Sequence, residues 1–203
     1  MRIAIVVPLL VALAVPIAAT EPAGNPPRGW TIVGPGAHAY SVRTDTAEKR
    51  TGHGSGLLEC STRDLDTFGS LMQAIRADDL RGRRIRFSGY LRTRDPEYWV
   101  ALWMRVDGAE TSPLAFDNMS DRLVRGDTEW SPYSIVLDVP AAAVQIAFGA
   151  TLAGSGRLWV DDLAIEVVGE QVATTDLRQP AQSSKTVVGA DVPSKPVNLG
   201  FDE

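Results

Sequence analysis

Cysteine and histidine are nearly absent: the 203 residues include one Cys and two His. The single cysteine, Cys60, excludes an internal disulfide framework, so a hydrophobic core must supply the stability. Cys60 lies in Gly56-Leu57-Leu58-Glu59-Cys60, which reads as a strand carrying a buried, inert thiol. His38 and His53 stand beside glycine-rich turns, and with one cysteine they offer no zinc-ligand spacing. Basic residues are outnumbered, 20 against 25 acidic, for a net charge of −5 at pH 7. That balance provides no electrostatic footprint for nucleic acid and no polybasic patch for an anionic membrane. Helical periodicity is scarce. Ala141-Ala142-Ala143 is a helix-tolerant triplet, but it follows Pro140 and is too short to matter.

Long apolar runs are equally rare. The one uncharged stretch, Ile3–Ala19, follows Arg2, is interrupted by Pro8 and Pro16, and ends in Ile17-Ala18-Ala19. A positive residue, an apolar segment and a small-residue end are the three parts of a signal peptide. The run falls short of the roughly 20 residues of a membrane span. Residues 1–19 are therefore expected to be a signal peptide cleaved near Ala19, delivering a periplasmic or secreted protein with no stable membrane insertion. No cysteine follows that could take a lipid.

What the chain does have is a series of short apolar segments punctuated by Gly and Pro. Residues 20–29 form a Pro/Gly-rich leader. Segments then recur at Trp30–Val33, Ala37–Val42, Gly56–Cys60, Phe68–Ile75, Arg84–Arg92, Trp99–Val106, Leu114–Phe116, Tyr133–Val139, Val144–Leu152 and Arg157–Val167. Turn signals such as Gly34-Pro35-Gly36, Asp107-Gly108 and Gly154-Ser155-Gly156 separate them. Alternation is visible in several: Ile85, Phe87 and Leu91 against Arg84, Arg86, Ser88, Tyr90 and Arg92. Many short strands with one dry face predict an all-β sandwich over 30–168. Residues 169–196, rich in Thr, Gln, Ser, Pro and Lys, read as an extended arm or linker. The apolar return at 197–203 predicts a terminal strand docked on the sandwich.

Several pieces together resemble carbohydrate-binding-module-like, or galactose-binding-like, jelly rolls. They are Gly29-Trp30, Tyr40 with Asp45, Gly52-His53-Gly54-Ser55-Gly56-Leu57, Phe68-Gly69-Ser70-Leu71-Met72-Gln73, the stretch Leu80–Thr93, and Leu158-Trp159-Val160-Asp161-Asp162-Leu163. The resemblance covers most of 29–168. It is similar to bacterial domains of unassigned role that occur alone, fused to some transcription regulators, or ahead of some C-terminal-processing-type peptidases. Such domains open with an Asn-x-x-Phe-Glu strand. Here its likeness, Asn198-Leu199-Gly200-Phe201-Asp202-Glu203, stands at the end, which implies a circularly permuted first strand. The resemblance also implies a structural Ca²⁺ held by Asp161 and by Asp202 or Glu203, since calcium accepts a loose shell of carboxylates and carbonyls. The alternative for Asp161 is a loop cap built from backbone hydrogen bonds.

A ligand site is suggested by the residues themselves. Trp99, Ala101, Trp103 and Arg105 share one face of their strand, and Val100, Leu102 and Met104 share the other. If the aliphatic face enters the core, Trp99, Trp103 and Arg105 stand on an outer, concave face, where Tyr90, Arg92, Asp117 and Asn118 could join them. Aromatic rings stack on sugar C–H faces, and Arg, Asp and Asn satisfy hydroxyls. Alternatively, the tryptophans are core residues beneath the 108–130 loop. Gly52-His53-Gly54-Ser55-Gly56 lacks the strand-to-helix context of a nucleophile elbow, and nothing singles out a glycosidase pair among the acids. The leading expectation is an exported, non-catalytic module binding carbohydrate or a related polar ligand. One alternative is a calcium-dependent jelly-roll enzyme similar to natural-product cyclases, with Asp117 beside Trp103 as a protonated acid. Another is an accessory protein-interaction domain.

Overall fold

The computed structural model describes residues 25–177, 182–183 and 188–203; the expected signal peptide and the first part of the leader lie outside them. The strands, in chain order, are β1 (Thr31–Val33), β2 (Ser41–Asp45), β3 (Ser55–Cys60), β4 (Phe68–Arg76), β5 (Arg84–Arg94), β6 (Trp99–Gly108), β7 (Thr111–Ser112), β8 (Ala115–Asp117), β9 (Thr128–Asp138), β10 (Ala143–Ala153), β11 (Gly156–Val168) and β12 (Gln182–Ser183). Two short 3₁₀ turns, Ala37–Ala39 and Asp78–Leu80, interrupt them.

Two five-stranded antiparallel sheets face each other. Sheet A runs β1-β4-β10-β6-β8 and sheet B runs β2-β3-β11-β5-β9, while β7 pairs with β12. Alternation decides which residues enter the space between them. Sheet A contributes Leu71, Ile75, Leu102, Met104 and Phe148; sheet B contributes Leu58, Ile85, Phe87, Leu91, Ile135 and Leu158. All are fully buried. Phe87 and Phe148 meet across the sheets at 5.1 Å, tilted by 58°. Cys60 is buried, as its strand predicts.

The chain beyond β11 closes the open side of the sandwich. Arg84 donates to the carbonyls of Glu170 and Val172, each at 2.7 Å. Thr175 then pairs with the backbone of Val136 on edge strand β9. Leu177 N–H donates to Phe116 O at 2.7 Å on edge strand β8 of the other sheet. This one segment therefore bonds to one edge strand of each sheet, at Val136 of β9 and Phe116 of β8, where an open edge presents unpaired backbone groups.

The C-terminal segment docks on the sandwich, but not as a strand. The Gln73 amide clamps Val197, donating to its O at 3.0 Å and accepting from its N–H at 2.8 Å. Trp30 Nε1–H donates to Asn198 O at 3.0 Å, and Leu163 N–H to Leu199 O at 3.2 Å. Asn198 and Phe201 then take left-handed φ values of 48° and 56°. That turn ends ladder pairing and drives the Phe201 ring into the core, fully buried and stacked on Trp30 at 5.2 Å. Gly56 makes room for it: a Cβ there would stand 2.5 Å from Phe201 Cε1.

Candidate functional site

The outer faces of the two sheets differ sharply. On sheet B, arginine and carboxylate side chains neutralise one another. Arg84 pairs with Asp138 at 2.7 Å, Arg86 with Glu166 at 2.9 Å, Arg94 with Glu129 at 2.5 Å, and Arg92 with Glu48. Beneath them lies Trp159, buried, its indole N–H donating to Asp45 Oδ2 at 2.9 Å. Burial pushes the Asp45 carboxyl up, but this bond, the backbone N–H of Ala47 and nearby Arg43 bring it below its ordinary range.

Tyr90 and Arg92, expected beside Trp103, lie on this face instead. Their strand, β5, belongs to sheet B, and the core separates it from β6. Tyr90 is covered by Arg50, whose guanidinium carbon sits 3.6 Å from the ring centroid. Arg92 is engaged by Glu48 and Glu129.

The outer face of sheet A is a groove. Cross-strand rows place Val33, Ser70, Thr151 and Ala101 side by side, and next to them Thr31, Met72, Gly149 and Trp103. Outward positions on central strand β10 are small (Ala147, Gly149, Thr151 and Ala153), while its inward ones include Ile146, Phe148 and Leu152. Gly149 is required on backbone grounds as well, since a Cβ there would run into Leu71 O. Small residues form the floor; Trp99, Trp103, Arg105 and Phe116 stand along one wall, and Val33, Phe68 and Met72 along the other. They enclose a cavity of about 550 Å³ that Asn118 also lines. Ser70 and Thr151, both buried, hydrogen-bond to each other through their hydroxyls. A second cavity of about 500 Å³ adjoins it, shares Phe68 and Trp99, and adds Tyr98, Arg125 and Asp66.

Trp99, Trp103, Arg105 and Asn118 are thus brought together on this face. Trp99 and Trp103 are partly buried and line the groove, while Val100, Leu102 and Met104 fill the core. Ser70, Thr151, Phe68, Met72, Val33 and Phe116 were not anticipated. Their signal was the run of small outward residues on β10, which marks a depression between bulkier neighbours.

Asp117 is a correction. Phe116 faces the groove, so its strand neighbour Asp117 faces the other way and is fully buried. It accepts from Met119 N–H at 2.7 Å and pairs with Arg122 Nη2 at 2.5 Å, anchoring the loop that follows β8. It does not share a cavity with Trp103.

The expected calcium ligands do not form a shell. Asp161 is buried and accepts three backbone N–H bonds, from Arg50 at 2.7 Å, Thr51 at 3.1 Å and Asp162 at 2.7 Å. Burial raises its carboxyl above the ordinary range despite those donors. Asp202 accepts from His53 N–H, and Glu203 pairs with Arg28 at 2.6 Å near the surface. Arg50 adds a guanidinium bound to Asp162, so a positive charge is already built into the loop. Among the described residues no group of three or more His, Cys, Asp or Glu is placed to hold a metal. The donor set is that of a loop held by N–H bonds and does not fit calcium.

A third cavity, about 530 Å³, opens at one end of the sandwich, lined by His38, Glu59, Arg63, Asp95 and Arg157 among others. Its aromatic residue is Tyr40, buried, with its hydroxyl tied to Gly154 O at 2.9 Å. The exposed ring there is the imidazole of His38, and no indole lines the cavity.

No protein-family model matches the chain. It aligns with an uncharacterized HTH-type transcriptional regulator, YbfP, of Bacillus subtilis (strain 168), at 36% identity over 177 residues. The alignment spans 87% of this chain and 57% of that protein, so the chain accounts for little more than half of the relative's length. Among solved structures, the enzymatically active domain of tailspike protein 4 from bacteriophage CBA120 superposes with a TM-score of 0.53 at 13% identity, covering 70% of this chain and 20% of that one. A xylan-binding domain of carbohydrate-binding-module family 22 gives 0.50 at 16% identity over 69% of this chain and 87% of its own. The C-terminal family 22 module of Clostridium thermocellum Xyn10B gives 0.50 at 17% identity over 72% and 90%. At these identities the likeness is one of fold: the chain folds as a jelly-roll β-sandwich of the carbohydrate-binding-module type.

Proposed function

We propose that this chain is a non-catalytic carbohydrate-binding module, acting outside the cytoplasm, that holds its ligand in the groove on the outer face of sheet A. The observation that carries the reading is the contrast between faces. Sheet B's outer charges are paired, whereas sheet A presents Trp99, Trp103 and Phe116 above a floor of small residues. Stacking of a pyranose on such rings, with a few polar groups fixing orientation, is what sugar recognition requires. Similar solved domains described as xylan-binding support the same reading. The cyclase alternative has lost its acid, since no carboxylate lines the 550 Å³ cavity. The interaction-domain alternative needs a broad apolar patch. Among the described residues the exposed large hydrophobics are Phe68, Tyr98 and Val167, and the first two flank the groove.

The alignment with a transcriptional regulator favours a second reading, in which the same groove is a sensory domain's effector site. The two separate by compartment. Amino-terminal sequencing of the protein from its native cell finds Thr20 if it is exported and Met1 if it is not.

The binding test is tryptophan fluorescence across a panel of soluble oligosaccharides, repeated with Trp103→Ala. A saturable shift that disappears in the variant supports the groove. A shift that survives unchanged in the variant places the ligand elsewhere.

A further inference from the structure

The groove offers many hydrogen-bond donors and few acceptors. Arg105 uses Nε to hold Asp107, at 2.9 and 3.0 Å, and its two terminal nitrogens have no protein partner among the described residues. Asp107 is fully buried and is not part of the cavity lining, so it aims the guanidinium without offering the ligand an acceptor. Asn118 spends its carbonyl on Ser120 N–H at 3.2 Å, which leaves its NH₂ free to donate. The Trp103 ring lines the same groove, while its buried indole N–H, like Asp107 Oδ1, has no hydrogen-bond partner and no surface that a ligand in the groove would meet. Against these stand the hydroxyls of Ser70 and Thr151, already bonded to each other.

A neutral sugar hydroxyl both donates and accepts, and it needs acceptors from the protein. An ionised carboxylate only accepts, at about four lone-pair sites, and matches the fork of a guanidinium with two parallel bonds. We infer that the ligand carries a carboxylate, as a uronic-acid residue within a glycan does, seated on Arg105 and Asn118 with its ring against Trp103. The inference rests on the carbohydrate reading and narrows it to acidic glycans. Discrimination comes from oriented donors, since Arg105 and Asp107 together carry no net charge.

Isothermal titration of the intact chain tests this with four probes: trigalacturonate, its methyl ester, a xylo-oligosaccharide bearing glucuronic acid, and xylohexaose. At least one acidic probe binds about ten- to a hundredfold more tightly than its uncharged counterpart, the worth of a hydrogen bond to a charged group. Arg105→Gln abolishes that preference; it also leaves the buried Asp107 carboxylate without its cation and lowers the melting temperature, so the titration is run well below it, where circular dichroism shows the variant folded. Trp103→Phe keeps a ring against the ligand and leaves the preference for acid in place. Equal or tighter binding of the uncharged probes overturns the inference and leaves the carbohydrate reading standing. So does a preference for acid that survives in Arg105→Gln. Failure of all four probes to bind defeats both.

Discussion

Replacing Phe201 by Ala removes a ring that stands two residues before the last, Glu203, yet is fully buried. The ring stacks on Trp30 at 5.2 Å with 25° between planes and rests against the bare backbone of Gly56. Truncating a buried Phe costs about 3–5 kcal/mol, the lost transfer energy plus the cavity. For a domain of this size each kcal/mol lowers Tm by roughly 2–4 °C, so the variant melts roughly 6–20 °C below the parent. Differential scanning calorimetry reads the shift directly. A double-mutant cycle adds a stricter check. Gly56→Ala is costly by itself because its methyl meets the ring, and that cost shrinks once Phe201 is truncated, giving a coupling of about 1 kcal/mol or more. A Tm within about 2 °C of the parent for Phe201→Ala, or strict additivity in the cycle, would show that the terminal turn is not part of the core.

Further expectations concern the buried polar groups. Tyr40, pushed up to about 12 by burial, folds in its neutral form, so its contribution is complete below pH 10 and is lost as pH rises from 10 through 12. In alkaline unfolding followed by circular dichroism, Tyr40→Phe flattens that limb; an identical limb would remove Tyr40 from it. Arg122→Ala strands the buried Asp117 carboxylate and lowers stability by about 3 kcal/mol in urea titrations, while oligosaccharide affinity stays within about twofold; a loss of affinity alone would return Asp117 to the site. Chelator treatment and added millimolar calcium each leave Tm within about 1 °C, because the loop around Arg50 and Thr51 is held by N–H donors. A calcium-dependent rise of several degrees would contradict that account.

Alternation along single strands was legible in the sequence. Arg84–Arg92, Trp99–Val106 and Arg157–Val167 all lie within observed strands, with Ile85, Phe87, Leu91, Val100, Leu102 and Met104 facing inward. Period two reports which side of a strand is dry, but not which sheet the strand joins. For that reason local pattern places Tyr90 and Arg92 beside Trp103 although the core lies between them. Proline misled in another way. Pro132 reads as a strand boundary, yet β9 runs through it from Thr128 to Asp138. It is an edge strand, where a missing N–H is tolerated. The groove itself depends on lateral register, Ser70 beside Thr151 beside Ala101, and strand pairing of that range leaves no mark in local pattern. A single position separates Asp117 from the groove-facing Phe116, and on a strand one position reverses the face.

Chemical-shift mapping of a bound oligosaccharide on ¹⁵N-labelled protein tests the central claim most directly. Perturbations concentrated on the outward residues of β4, β10 and β6, together with the indole N–H signals of Trp99 and Trp103, are the predicted result. Perturbations confined to the arginine-bearing face around β5 and β11, or to the His38–Arg157 end of the sandwich, would contradict it.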